Sequence, residues 1–175
     1  EDIKDVYHEL FDDALKRYND KQTRKDRKID DYYEKIRSGK QEKLFHEVIL
    51  QIGDKDNMGS ETMEGQLAAK ILDEYMKGFQ ERNPTLRVFA AHLHLDEATP
   101  HLHIDFIPYV TGSKRGLDTR VSLKQALSSL GFKGGSRSET ELNQWVQSEK
   151  EKLAMVMREN EIEWDQKGTH EQHLS

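Results

Sequence analysis

The chain contains no cysteine, so disulfides and thiolate metal ligands are excluded from its chemistry. That absence fits a reducing compartment, and the expected location is cytoplasmic. Three prolines and 8% aromatic residues argue against an all-β sandwich with many turns. No apolar run approaches the ~18 residues of a membrane span, and the opening EDIKD has no signal-peptide pattern. No membrane partner is expected. The opening is not an initiator Met either, so the chain reads as a fragment of a longer protein. Hydrophobic residues make up 34%, equal to the charged share, and mean hydropathy is −0.93. At 175 residues this composition predicts one domain with a small core and long solvated helices.

A net charge of −6 by itself disfavours nucleic acid as a partner. Its distribution argues the other way. Residues 1–13 carry one Lys and six acids, and residues 139–175 carry four Lys/Arg and nine acids. Between these flanks, residues 14–28 carry seven Lys/Arg against two acids, and residues 111–137 carry six against one Asp. Two basic segments therefore lie inside acidic ends.

Hydrophobic spacing predicts the elements. Ile3, Val6, Tyr7, Leu10, Phe11, Ala14, Leu15 and Tyr18 recur at helical intervals, giving a helix over 2–19 that Asp2 can cap. A second helical piece holds Tyr32, Tyr33 and Ile36. The β-branched run at 43–53 reads as a strand, and 61–82 as a helix stopped by Asn83-Pro84. Strands over 86–95 and 101–110 flank a five-residue connection, which predicts an antiparallel hairpin. A short helix capped by Ser122 follows. Ser138 with Glu141 forms a capping box for a helix to about 160, carrying Trp145 on its apolar face, and the tail holding Trp164 is polar from Asp165 on. The expected class is α+β, with helices packed on one face of a small antiparallel sheet.

The stretch AAHLHLDEATPHLHIDFIPY carries the chemistry. Its period is two. Ala91, Leu93 and Leu95 alternate with His92, His94 and Asp96, and Leu102, Ile104 and Phe106 alternate with His101, His103 and Asp105. Alternate side chains point to opposite faces of a strand. Each strand thus offers an apolar face to helices and a polar face bearing imidazoles and carboxylates. His94 and His101 lie beside the turn, and His103 is one pleat further on. Three imidazoles on adjacent strands can hold a divalent metal with open positions for substrate. Neutral imidazole suits Mn, Zn, Co or Ni better than Mg. His92 is furthest from the turn and reads as a hydrogen-bonded neighbour, with Asp96 and Asp105 as outer carboxylates.

HLDEATPHLH resembles the H-x-D-E-x-x-P-H-x-H motif of the plasmid mobilisation and recombination (Mob/Pre, MobV-type) relaxases, within the HUH endonuclease group. The segments YNDKQTRKDRKI and TGSKRGLDTRVSLKQAL, and the C-terminal stretch from WVQSEKEK, are similar to that family too. The resemblance implies an HUH-type antiparallel sheet with helices on it, and a divalent metal, Mn²⁺ first, on His94, His101 and His103. It implies a catalytic or outer role for Glu97. The implied reaction is nicking of one strand at a transfer origin: a protein nucleophile attacks phosphorus, a 3′-hydroxyl leaves, and a protein–DNA bond keeps the strand ready for rejoining. Single-stranded origin DNA is the implied partner. The family's nucleophile, a His in an H-N-x-R block, has no counterpart among these 175 residues. The expectation is therefore a single nuclease domain over 1–175, truncated at its N-terminus and lacking a first strand. His46 is a weak substitute nucleophile, Tyr75 is the one helical Tyr that a rolling-circle replication initiator would need, and Tyr109 is a packing residue or a base platform. A non-catalytic, metal-stabilised DNA-binding module is the remaining alternative. Candidate phosphate contacts are Lys16, Arg17, Lys21, Arg24, Lys25, Arg27 and Lys28 in one basic segment, and Lys114, Arg115, Arg120 and Lys133 in the other.

Overall fold

The structure is a computed structural model that describes residues 1–53, 62–96 and 98–160. The expectations for Glu97, Trp164 and the polar tail fall outside these residues.

The order is α1 (Ile3–Asp20), a 3-10 turn at Lys25–Arg27, α2 (Tyr32–Ser38), β1 (His46–Gln51), α3 (Met63–Lys77), α4 (Phe79–Arg82), β2 (Leu86–His94), β3 (His101–Val110), β4 (Arg120–Val121), α5 (Leu123–Ser129) and α6 (Glu141–Glu159). Asp2 caps α1 through Lys4 N at 2.8 Å, and Ser122 caps α5 through Gln125 N at 3.2 Å, both as expected. The helix expected over 61–82 breaks at Gly78 into α3 and α4. The cap of α6 is Thr140, whose hydroxyl accepts from Asn143 N at 3.1 Å. Ser138, the expected cap, pairs instead with the Ser136 hydroxyl at 3.0 Å. The sequence satisfies the capping-box spacing, but the helical backbone begins two residues too late for Ser138 to use it.

The sheet runs β1-β3-β2 with antiparallel pairing, and β4 adds to the far end of β3. The two-residue β4 has no signal in the sequence, being too short to show a period. β3 is central, and alternation divides its side chains. Leu102, Ile104 and Phe106 enter the larger core with Ile71, Leu72, Phe79 and Trp145. Fully burying side chains of this size stabilises by about 1.5–3 kcal/mol each.

The other face of β3 is not left to water along its length. Ile107 joins Val6, Tyr7, Phe11, Tyr32, Leu117 and Val121 in a second core. α1 and α2 thus cover the C-terminal half of the face that the histidines occupy at the other end. The expected one-sided packing is corrected here. A bulge between Val88 and Ala90 resets the register of β2 between its two halves.

Candidate active site

The hairpin register sets His94 opposite His101 and His92 opposite His103. On the other side of β3, β1 sets Glu47 opposite Asp105, Ile49 opposite His103 and Gln51 opposite His101. Directly paired residues share a face. One patch therefore carries four histidines, two carboxylates, Gln51 and the exposed Ile49.

The rings of His94, His101 and His103 converge. Their centres lie 4.6 Å (94 to 103), 5.0 Å (94 to 101) and 5.0 Å (101 to 103) apart. Three imidazoles sharing an ion through nitrogens at about 2.0–2.1 Å keep their centres about 4.6–5.3 Å apart, so the spacing fits a common ion. The rings of His94 and His101 are parallel to within 4°. Among the described residues no three His, Asp or Glu groups already close on a single point. The donor set and ring spacing fit a metal, while the nitrogens are not yet converged. His92 is 6.4 Å from His94, at the margin of the cluster.

Two contacts orient the rings. His101 is buried, and its Nδ1 donates to the Thr99 carbonyl at 3.0 Å. A carbonyl only accepts, so this bond requires the proton on Nδ1. His103 Nδ1 lies 3.3 Å from Glu47 Oε2, which favours the same tautomer. Outer partners of this kind fix the orientation of metal-ligating histidines. Sequence reasoning misses Glu47. It is the one acid in the apolar strand HEVILQ, but only the pairing of β1 with β3 brings it to His103.

Asp105, read from the sequence as an outer carboxylate, sits beside Glu47 with its Oδ1 buried and unpartnered among the described residues. Burial, then the neighbouring Glu47 carboxylate, push the Asp105 carboxyl up to about 6. Asp96 stays exposed, with its Oδ1 3.9 Å from His94 Nδ1.

The substitute nucleophiles lie elsewhere. His46 is opposite Phe106 in register, on the helix-covered face, and its ring lies 6.1 Å from that of Phe106. Burial pulls its imidazole down to about 4. Tyr75 is buried in the larger core, and its hydroxyl donates to Glu149 at 2.5 Å. Tyr109 donates to the Pro84 carbonyl at 3.2 Å.

Of the basic residues, Arg17 forms a two-pronged pair with Asp118 at 2.8 Å, and Arg24 pairs with Asp26. Lys133 reaches the Ser128 carbonyl at 3.3 Å, and Arg120 Nε donates to Ser113 at 2.9 Å. Lys16, Lys21, Lys25, Arg27, Lys28, Lys114 and Arg115 are exposed.

The family model for plasmid recombination enzymes (Mob/Pre) matches residues 1–161. The chain belongs to this family. The family processes DNA, which makes plasmid recombination or mobilisation the setting of the site just described and DNA its class of partner. No curated protein and no solved structure matches the chain. No helix among the described residues is long and apolar enough to cross a membrane.

Proposed function

We propose that this chain acts in metal-dependent, strand-specific nicking of DNA at a transfer origin by transesterification. The observation that carries the reading is the mutual approach of His94, His101 and His103 to 4.6–5.0 Å on an open sheet face of a plasmid recombination enzyme. These three residues would hold a divalent ion, Mn²⁺ first, with Mg²⁺, Zn²⁺, Co²⁺ and Ni²⁺ as the other candidates. Such an ion neutralises charge on the scissile phosphate oxygens. Thr99 orients the His101 ring and Glu47 that of His103. Glu97, two residues before Thr99 in the sequence, serves as a base or an outer partner. His92, Asp96 and Asp105 surround the cluster without binding the ion directly.

His46 and Tyr75 are not favoured as the attacking group, since both lie on the helix-covered side of the sheet. The same burial of Tyr75 counts against a rolling-circle initiator that would use it. The resemblance assigns attack to a His in an H-N-x-R block, which these residues do not contain.

The test is incubation with labelled origin oligonucleotide and Mn²⁺, read on a denaturing protein gel. The chain preceded by an H-N-x-R block should give a covalent protein–DNA band, abolished by chelator or by His101→Ala. The 175 residues alone should bind without an adduct. An adduct from them would place the nucleophile within this chain and overturn that assignment. Intact cleavage by His101→Ala would overturn the metal role.

A further inference from the structure

The second basic segment meets an unexpected wall. The cleft of about 840 Å³ between α2, residues 39–42 and residues 115–121 is lined by Lys35, Lys40, Arg115 and Arg120, against Glu42 as the one acid among the described residues. Lys35 and Lys40 come from outside both basic runs of the sequence. A neighbouring cleft of about 470 Å³ has the opposite balance, with Asp12, Asp20, Asp30 and Asp31 against Lys16. Of the seven cations of residues 14–28, two are paired in place, Arg17 with Asp118 and Arg24 with Asp26. Folding thus adds a second gathering of cations, at a place where the sequence shows no basic run of its own on one wall.

The loop that carries Arg115 is held in shape from several sides. Gly112 and Gly116 take positive φ of 69° and 64°, which a side chain would oppose. Ser113 N donates to the Asp118 carbonyl at 2.9 Å, and Leu117 is buried in the second core. Arg17 clamps Asp118, and the Tyr32 hydroxyl accepts from Val121 N at 3.0 Å, tying the two walls together. Arg17, read from sequence as a phosphate contact, is the residue paired with Asp118 of this loop.

We propose that this cleft binds the phosphate backbone of the DNA flanking the cleavage site, as a second contact separate from the histidine face. The inference rests on the DNA-processing reading of the chain. Four cations held around one groove suit a polyanion. Among the described residues the one aromatic of the lining, Tyr32, is buried and committed to Val121, so these offer no ring for a base to stack on. Contact is then with phosphates and independent of sequence. Arg120 pairs with Val110, seven residues along β3 from His103. That is roughly 23 Å at about 3.3 Å per residue, or about seven base steps at 3.4 Å each along duplex DNA.

The experiment measures fluorescence anisotropy of a labelled origin duplex, and of its single strand, across a salt series. The wild-type chain is compared with the quadruple variant K35A/K40A/R115A/R120A and the single reversals Lys40→Glu and Arg115→Glu. The quadruple variant should lower the slope of log K against log salt by about 0.9 for each phosphate it no longer neutralises, so by about 2–4 in all for duplex. Each reversal should weaken binding at least several-fold at low salt. K70A/K77A, on the paired lysines of α3, should change nothing. The reversals keep the test open if the quadruple variant folds poorly. An unchanged slope and unchanged affinity in the reversals overturn the proposal. Inorganic phosphate is titrated in parallel, and variants that lose phosphate binding yet keep DNA affinity also overturn it. Mn²⁺ affinity should be the same in wild type and variants. A wild-type chain that binds no DNA at all would instead sink the functional reading on which this one rests.

Discussion

Glu47 shows how one carboxylate on a neighbouring strand governs a histidine it does not follow in sequence. At 3.3 Å from His103 Nδ1, it prefers the tautomer whose Nε2 carries the lone pair. Glu47→Gln should therefore weaken Mn²⁺ binding about 10–100-fold by calorimetry. Glu47→Asp should recover part of the loss, and equal affinity in all three proteins would mean that Glu47 does not act on the site. Ala substitution at His94, His101 or His103 should cost far more affinity than His92→Ala, because the His92 ring sits outside the triad. A different histidine, His46, titrates against the fold. Its imidazole is held down to about 4 by burial, below the ordinary value of 6.5. Below about pH 6.5 the unfolded chain takes up a proton that the folded chain refuses, so stability falls as pH drops from 6.5 toward 4. His46→Gln should flatten that part of the stability–pH curve in urea titrations, and an NMR titration should show the His46 ring neutral at pH 5.

At the scale of elements, α6 is held by a polar cluster inside the core. Glu149, buried at 5%, accepts from Tyr75 at 2.5 Å, Arg82 at 2.9 Å and Asn83 at 3.1 Å, and Trp145 Nε1 donates to Asn83 at 2.9 Å. The cluster joins α3, α4 and α6, and its geometry explains why Tyr75 is unavailable for chemistry. Glu149→Ala would strand three donors and leave the Arg82 charge without its partner, so urea unfolding should show a loss of about 3–5 kcal/mol. Glu149→Gln, which keeps an acceptor oxygen, should cost less. The start of α6 offers a second comparison. Thr140→Ala should cost about 1 kcal/mol by removing the cap, and Ser138→Ala about none.

For the molecule as a whole, both cores bear on one strand. β3 sends Phe106 into the larger core and Ile107 into the smaller one, so α1 and α2 leave only the N-terminal half of its second face open. An ion bound on that half should stabilise the entire fold, because the unfolded chain cannot assemble three histidines from two strands. At a hundredfold excess of Mn²⁺ over its dissociation constant the gain should be about 2.7 kcal/mol. That corresponds to a rise in Tm of roughly 5–10 °C, reversed by chelator and absent in His101→Ala. No shift in the wild-type chain would count against the metal site.

Period-two alternation by itself determined that His94, His101 and His103 share a face, since neighbouring strands joined by a short turn leave few registers open. Helical spacing determined α1, α2, α5 and α6 in the same local way, because each needs only its own residues to form an apolar stripe. What only the tertiary structure decided involves residues distant in sequence. Glu47 meets His103 because β1 pairs with β3. The second core covers part of the histidine face because α1 returns from the start of the chain. Thr140 displaces Ser138 as a cap because the docking of α6 sets where its helix begins. Lys35 and Lys40 meet Arg115 and Arg120 because α2 and residues 39–42 line one cleft with residues 115–121. Local period reports which side chains share an element. Charge balance and orientation depend on which elements meet, and that is settled by burial of both cores together.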